Sequence, residues 1–84
     1  MGKKDNKFVT MLELVKKTMI LTVDESEISE NTELVEIGMD SISFITLIAE
    51  IEDYYEIEFP EDKLIIENSS TIAKLIGTLD YLGV

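Results

Sequence analysis

Apolar residues recur at spacings of three and four in three separate stretches of this chain, and strand-like alternation is weak throughout. Such periodicity marks helices that bury one face. The first stretch runs roughly from Asp5 to Leu21, with Phe8, Met11, Leu12, Val15 and Met19 on one side and Asp5 or Asn6 placed to cap its start. The second begins near Asp40 or Ser41 and runs to about Tyr55. Placed around a helical wheel, Phe44, Leu47, Ile48, Ile51, Tyr54 and Tyr55 share one arc, which is expected to face the core. The third, capped by Ser70 or Thr71, extends to about Leu82 on a stripe of Ile72, Leu75, Ile76, Leu79 and Leu82. Residues 22–40 are rich in Asp, Glu, Ser and Asn. A structureless loop of that length is uncommon in a compact domain. Ile28, Leu34, Val35 and Ile37 are therefore expected to pin an ordered crossover to the bundle, with Gly38 making the tight turn before the second helix. Phe59-Pro60 favours extended backbone. Residues 61 to 67 are expected to form a short helical turn with Leu64, Ile65 and Ile66 reaching inward. The expected fold is all-α: a four-helix bundle of three longer helices and one short one, with a long first crossover.

The chain has 84 residues, and 1–84 reads as one domain. A domain this small buries only roughly 60% of its unfolded surface. Without cysteine, no disulfide or thiolate metal site supplements the core, so apolar packing must suffice. No apolar run exceeds three residues, as in Met19-Ile20-Leu21, so neither a spanning helix nor a signal-peptide core is expected. Gly2 is the glycine of a myristoylation signal, but Asn6 stands where Ser or Thr is required. The protein is expected to be cytoplasmic, soluble, unprocessed and monomeric, with no membrane insertion.

Eighteen acids against seven lysines give a net charge of −11, with no histidine. Nucleic acid is not expected as a partner, because its phosphates would be repelled. From Thr18 to Asp62 there are acids and no basic residue, so one contiguous half of the chain carries nearly all the negative field. Such a field serves solubility, or it forms a docking surface for basic partners.

On the second helix, the arc opposite the core holds Ser41, Ile42, Ile45, Thr46, Ala49, Glu50, Glu52, Asp53 and Glu56. Ile42, Ile45 and Ala49 make a narrow apolar strip inside an acidic rim. Either the bundle wraps further around this helix, or the strip is a contact site for other proteins. Ser41 at the helix mouth reads most simply as an N-cap. Without histidine it cannot join a Ser-His-Asp arrangement. It can still be the substrate of another enzyme, and a helix N-terminus suits a phosphate ester through its N–H groups and dipole.

The stretch from Glu33 to Ile42, with Gly38-Met39-Asp40-Ser41-Ile42 at its end, resembles the modification site of acyl carrier proteins. The run from Ala49 to Pro60 resembles the family's acidic helix end and its apolar-x-apolar-Pro connection. The resemblance covers nearly the whole chain. It implies no enzyme activity. It implies instead that a phosphopantetheinyl transferase, using Mg²⁺, moves 4'-phosphopantetheine from coenzyme A to Ser41, aided by Asp40. The arm's thiol would then carry an acyl or aminoacyl group as a thioester for loading and synthase enzymes with basic docking surfaces. Ile42, Ile45 and Ala49 would make apolar contacts, with Glu50, Glu52, Asp53 and Glu56 as the charged rim. No metal site is implied.

Three departures bear on the pathway. Ser43 and Thr46 occupy early turns where fatty-acid carriers often have acids. Glu56 stands where many relatives have glycine, so a left-handed helix end there would be strained. The Gly-Gly-His/Asp-Ser form of peptidyl carriers is absent. These features favour a freestanding carrier dedicated to one pathway, whether polyketide, other specialised acyl, fatty acid, peptidyl or D-alanyl. The alternative reading is an unmodified helical adaptor that binds partners non-covalently.

Overall fold

The computed structural model describes residues 6–84. Gly2, the lysines at 3 and 4, and Asp5 as a capping residue lie outside the described residues. Three α-helices form: α1 over Lys7–Thr18, α2 over Ser41–Tyr55 and α3 over Ile72–Leu82. Among the described residues there is no strand. Asn6 caps α1 by accepting from the Val9 N–H at 3.2 Å, and the helix stops at Thr18, short of the expected Leu21. Its buried face is Met11, Leu14 and Val15, with Phe8, Leu12 and Met19 only partly covered. The face is thus rotated toward Leu14, which the expected stripe omitted. α1 packs on both other helices.

Residues 19–40 hold no α-helix, only 3-10 turns at Glu25–Glu27 and Leu34–Ile37. The segment is nonetheless sewn to the bundle. Leu34 N–H donates to Ser70 O and Ala73 N–H to Glu30 O, both at 2.8 Å, which ties it to the start of α3. Ile28, Leu34 and Ile37 are buried, but Val35 is exposed. In a 3-10 turn residues three apart eclipse, so Leu34 and Ile37 share the inner side and Val35 points away. Met39, absent from the expected core, is buried beside them.

The expected short helix is instead two successive 3-10 turns, Glu61–Leu64 and Ile66–Ser69. The tighter winding turns Leu64 outward, Ile65 between the two turns is extended and also faces out, and only Ile66 packs against the core. The double turn is held from within. Asn68 Nδ2 donates to Asp62 O at 2.7 Å, and the buried Ser69 hydroxyl donates to Lys63 O at 2.8 Å. Thr71 then caps α3, accepting from the Lys74 N–H at 3.2 Å. On α3, Ile72, Leu75 and Leu79 are fully buried, while Ile76 and Leu82 are half-buried. Among the described residues, no buried side-chain nitrogen or oxygen lacks a hydrogen-bond partner. That meets the demand that buried polar groups be satisfied. No described helix is long and apolar enough to cross a membrane.

Candidate functional site around Ser41

The chain reaches Ser41 through a left-handed glycine. Gly38 has φ +111°, and its N–H donates to Val35 O at 3.2 Å to close the preceding turn. Met39 follows, anchored in the core, with its N–H on Leu34 O at 3.1 Å. Asp40 is extended and stands at the N-cap of α2. One buried anchor followed by one extended residue sets Ser41 at the first helical position, exposed to solvent. Met39 lies outside the periodic apolar stripes. Its signal is an isolated apolar residue between the turn glycine and the cap.

Capping belongs to Asp40, not to Ser41. Asp40 Oδ1 accepts from the Ser43 N–H at 2.8 Å. That backbone bond, then the Ser43 hydroxyl, hold the Asp40 carboxyl below the usual carboxylate range, with smaller help from the N–H groups of Asp40 and Ile42. Phe44 N–H closes the first helical turn on Asp40 O at 2.9 Å. Two consequences follow. The Ser41 hydroxyl is relieved of the usual task of a helix-start serine, and among the described residues it makes no hydrogen bond. The donors expected to offset an attached phosphate are also partly committed to Asp40, so the helix mouth offers that phosphate less than expected.

Beside Ser41 lies a groove of about 270 Å³ whose walls include Phe44 and Ile45 of α2 and Leu64, Ile65 and Ile66 of the double turn. A second hollow of about 320 Å³ shares Phe44, Ile45 and Leu64 and runs on to Ile48 and Ala49. The outward turn of Leu64 and Ile65 builds the far wall of this apolar trough. Apolar patterning alone places both inside.

The structure separates the expected partner-binding residues. Ile42 is 77% and Ile45 66% exposed, and Ala49 is exposed beside them. Bundle packing therefore does not account for the apolar strip. Glu50 is not free, because Lys17 of α1 pairs with it at 3.1 Å. Glu52 turns away from the rim and accepts from the Phe59 N–H at 2.8 Å, anchoring the chain after the helix. Asp53 and Glu56 remain exposed at the far end of α2 from Ser41. Tyr54, assigned to the core, is 57% exposed and lies edge-on against Tyr55, with ring centroids 4.9 Å apart. The available charge near Ser41 is therefore smaller than the sequence suggests.

The residues present suit a phosphopantetheine arm: an accessible hydroxyl on an ordered turn, next to an apolar trough open to solvent. Residues 12–79 match the family described as the phosphopantetheine attachment site. Among solved structures, the chain is similar to the NMR structure of the HMG-ACPI domain from the CurA module of Lyngbya majuscula. The TM-score is 0.71 at 24% identity, covering 98% of this chain and 85% of that one. That likeness speaks to the fold. No curated protein matches the chain. With the match extending over most of its length, the chain belongs to the phosphopantetheine-attachment-site family, whose members are non-catalytic carriers modified and used by other enzymes.

Proposed function

We propose that Ser41 is the residue that receives 4'-phosphopantetheine, and that the protein carries acyl or aminoacyl groups to partner biosynthetic enzymes. The observation that carries this reading is the exposed Ser41 hydroxyl, freed by Asp40 from capping α2. In the attachment reaction the Ser41 oxygen attacks the coenzyme A phosphorus that bears the pantetheine, the pyrophosphate P–O bond breaks, and adenosine 3',5'-bisphosphate leaves. The hydroxyl proton passes to a base of the transferase, so that the Ser41 oxygen becomes an ester oxygen of the new phosphodiester. Asp40 keeps the helix mouth closed on its own side chain, so Ser41 is presented on a fixed backbone. When attached, the arm supplies a terminal thiol that holds cargo as a thioester. The trough between α2 and the 61–69 turns offers an apolar surface along which a chain leaving Ser41 can lie.

Ile42, Ile45 and Ala49 form the contact strip that a transferase or synthase meets around Ser41. Asp53 and Glu56 add charge further along α2. Long-range charge raises encounter rates more than final affinity, which suits a carrier that visits several enzymes. A dedicated acyl pathway, polyketide or other specialised, fits the hydroxyl-bearing Ser43 and Thr46 near the site.

The test is intact mass after incubation with coenzyme A, Mg²⁺ and a broad-specificity phosphopantetheinyl transferase. The wild-type protein should gain one phosphopantetheine, and Ser41→Ala should gain none. An unchanged wild-type mass, under conditions that modify a control carrier, would favour the unmodified adaptor.

A further inference from the structure

A further groove is lined by the 61–69 double turn and α3, and shares only Glu67 with the Ser41 trough. It measures about 650 Å³, within the size range of ligand sites. One wall is a single face of α3, because Lys74, Gly77, Thr78 and Tyr81 follow the three- and four-residue helical spacing. The facing wall carries Lys63 and Asn68.

The lysines set this groove apart. On α1, Lys7 pairs with Asp80 at 3.5 Å, Lys16 with Glu25 at 3.2 Å and Lys17 with Glu50 at 3.1 Å. Among the described residues, Lys63 and Lys74 have no carboxylate at ion-pair distance. Lys74 Nζ donates instead to the Ser70 hydroxyl at 3.2 Å. In a chain of net charge −11, the two described lysines without an acidic partner converge on one groove. Its walls are ordered by the Asn68 and Ser69 hydrogen bonds already described and by Thr78, whose hydroxyl donates to Lys74 O at 3.3 Å. A Cβ built on Gly77 would meet nothing within 4 Å, so a backbone can lie close to α3 there. Tyr81, 82% exposed, adds an aromatic face along the same side of the helix.

We infer that this groove docks a segment of a partner protein bearing a single acidic side chain, held between Lys63 and Lys74. Charge complementarity selects that occupant. A free multivalent anion is repelled by the field of the whole molecule. Asp62 and Glu67 also line the groove and disfavour a polyacidic run. One carboxylate flanked by neutral or basic residues avoids both penalties. Asn68 Nδ2 is committed to Asp62 O, which leaves its amide oxygen to accept a backbone N–H of the segment. Because Ser41 does not line this groove and the two grooves share only Glu67, a partner can hold the carrier here and leave Ser41 uncovered. The site is independent of modification at Ser41.

The experiment is an NMR amide-shift titration of the ¹⁵N-labelled full chain with a capped peptide holding one glutamate among alanine and serine. Saturable shifts are expected at Lys63, Asn68, Lys74 and Gly77, and the same peptide with glutamine should give none. Lys63→Gln and Lys74→Gln should each weaken binding roughly threefold, and together about tenfold, the scale of exposed ion pairs. Ser41→Ala should bind like wild type. Absence of saturable shifts, shifts confined to α2, or unchanged affinity in the double variant would overturn the inference. Inorganic phosphate binding as tightly, with the same shifts, would also overturn it, because the groove would then be a small-anion site.

Discussion

Replacing Glu56 by glycine should stabilise the protein, although it removes a side chain and adds no contact. Glu56 ends α2 at φ 57°, ψ 50°, the one non-glycine residue with positive φ among those described. In this region the Cβ crowds the backbone, at a cost of about 1–2 kcal/mol. Glycine removes that strain but gives back about 0.4–1 kcal/mol through its greater freedom in the unfolded chain. The net gain is centred on about 0.8 kcal/mol, which raises the melting temperature of a domain this size by about 3–6 °C. Losing one carboxylate from an acidic chain could stabilise it too, so Glu56→Ala is the control. Alanine removes the charge but keeps the Cβ. Calorimetry at fixed ionic strength should rank glycine above alanine, with alanine within about 0.5 kcal/mol of wild type. A glycine variant no more stable than the alanine variant would refute the strain argument.

Gly38→Ala should destabilise by about 2 kcal/mol, because φ is +111° and the new Cβ would lie 3.1 Å from Thr22 Cγ2 and 3.3 Å from Met19 Cε. Chemical denaturation measures it. Ile45→Glu should change stability by no more than about 0.5 kcal/mol, since Ile45 is 66% exposed, yet it should slow modification by the transferase. Asp40 supplies a pH dependence. Its folded pKa is lowered, so its stabilising effect is full above the unfolded carboxylate value and lost as pH falls through the folded one. The stability gap between wild type and Asp40→Asn should therefore be present at pH 6 and close progressively below about pH 4.

The helices were readable because their buried faces repeat at 3.6 residues, and α2 was bounded correctly on that basis. Apart from Leu14 on α1 and Tyr54 on α2, the errors fall where that period does not apply. Val35 and Leu64 sit in 3-10 turns, whose three-residue winding sends outward some apolar residues that an α-helical or loop reading sends inward, and Ile65 is the extended residue between two such turns. Tyr54 lies at the end of α2, and its ring rests on Tyr55, not in the core. At the site, the motif located Ser41 and Asp40, but motif alone could not divide their tasks. Only the bond from Ser43 N–H to Asp40 Oδ1 shows which of the two caps the helix. Nor could composition show that Glu50 and Glu52 are engaged within the fold, because both partners are distant in sequence or belong to the backbone.

The most direct test locates the modification within the chain. Peptide mapping by tandem mass spectrometry of protein isolated from cells that contain an active transferase should place phosphopantetheine on Ser41. Ser43, two residues on and bound to Asp40, should remain bare. An arm found on Ser43 or on any other hydroxyl, with Ser41 unmodified, would contradict the account.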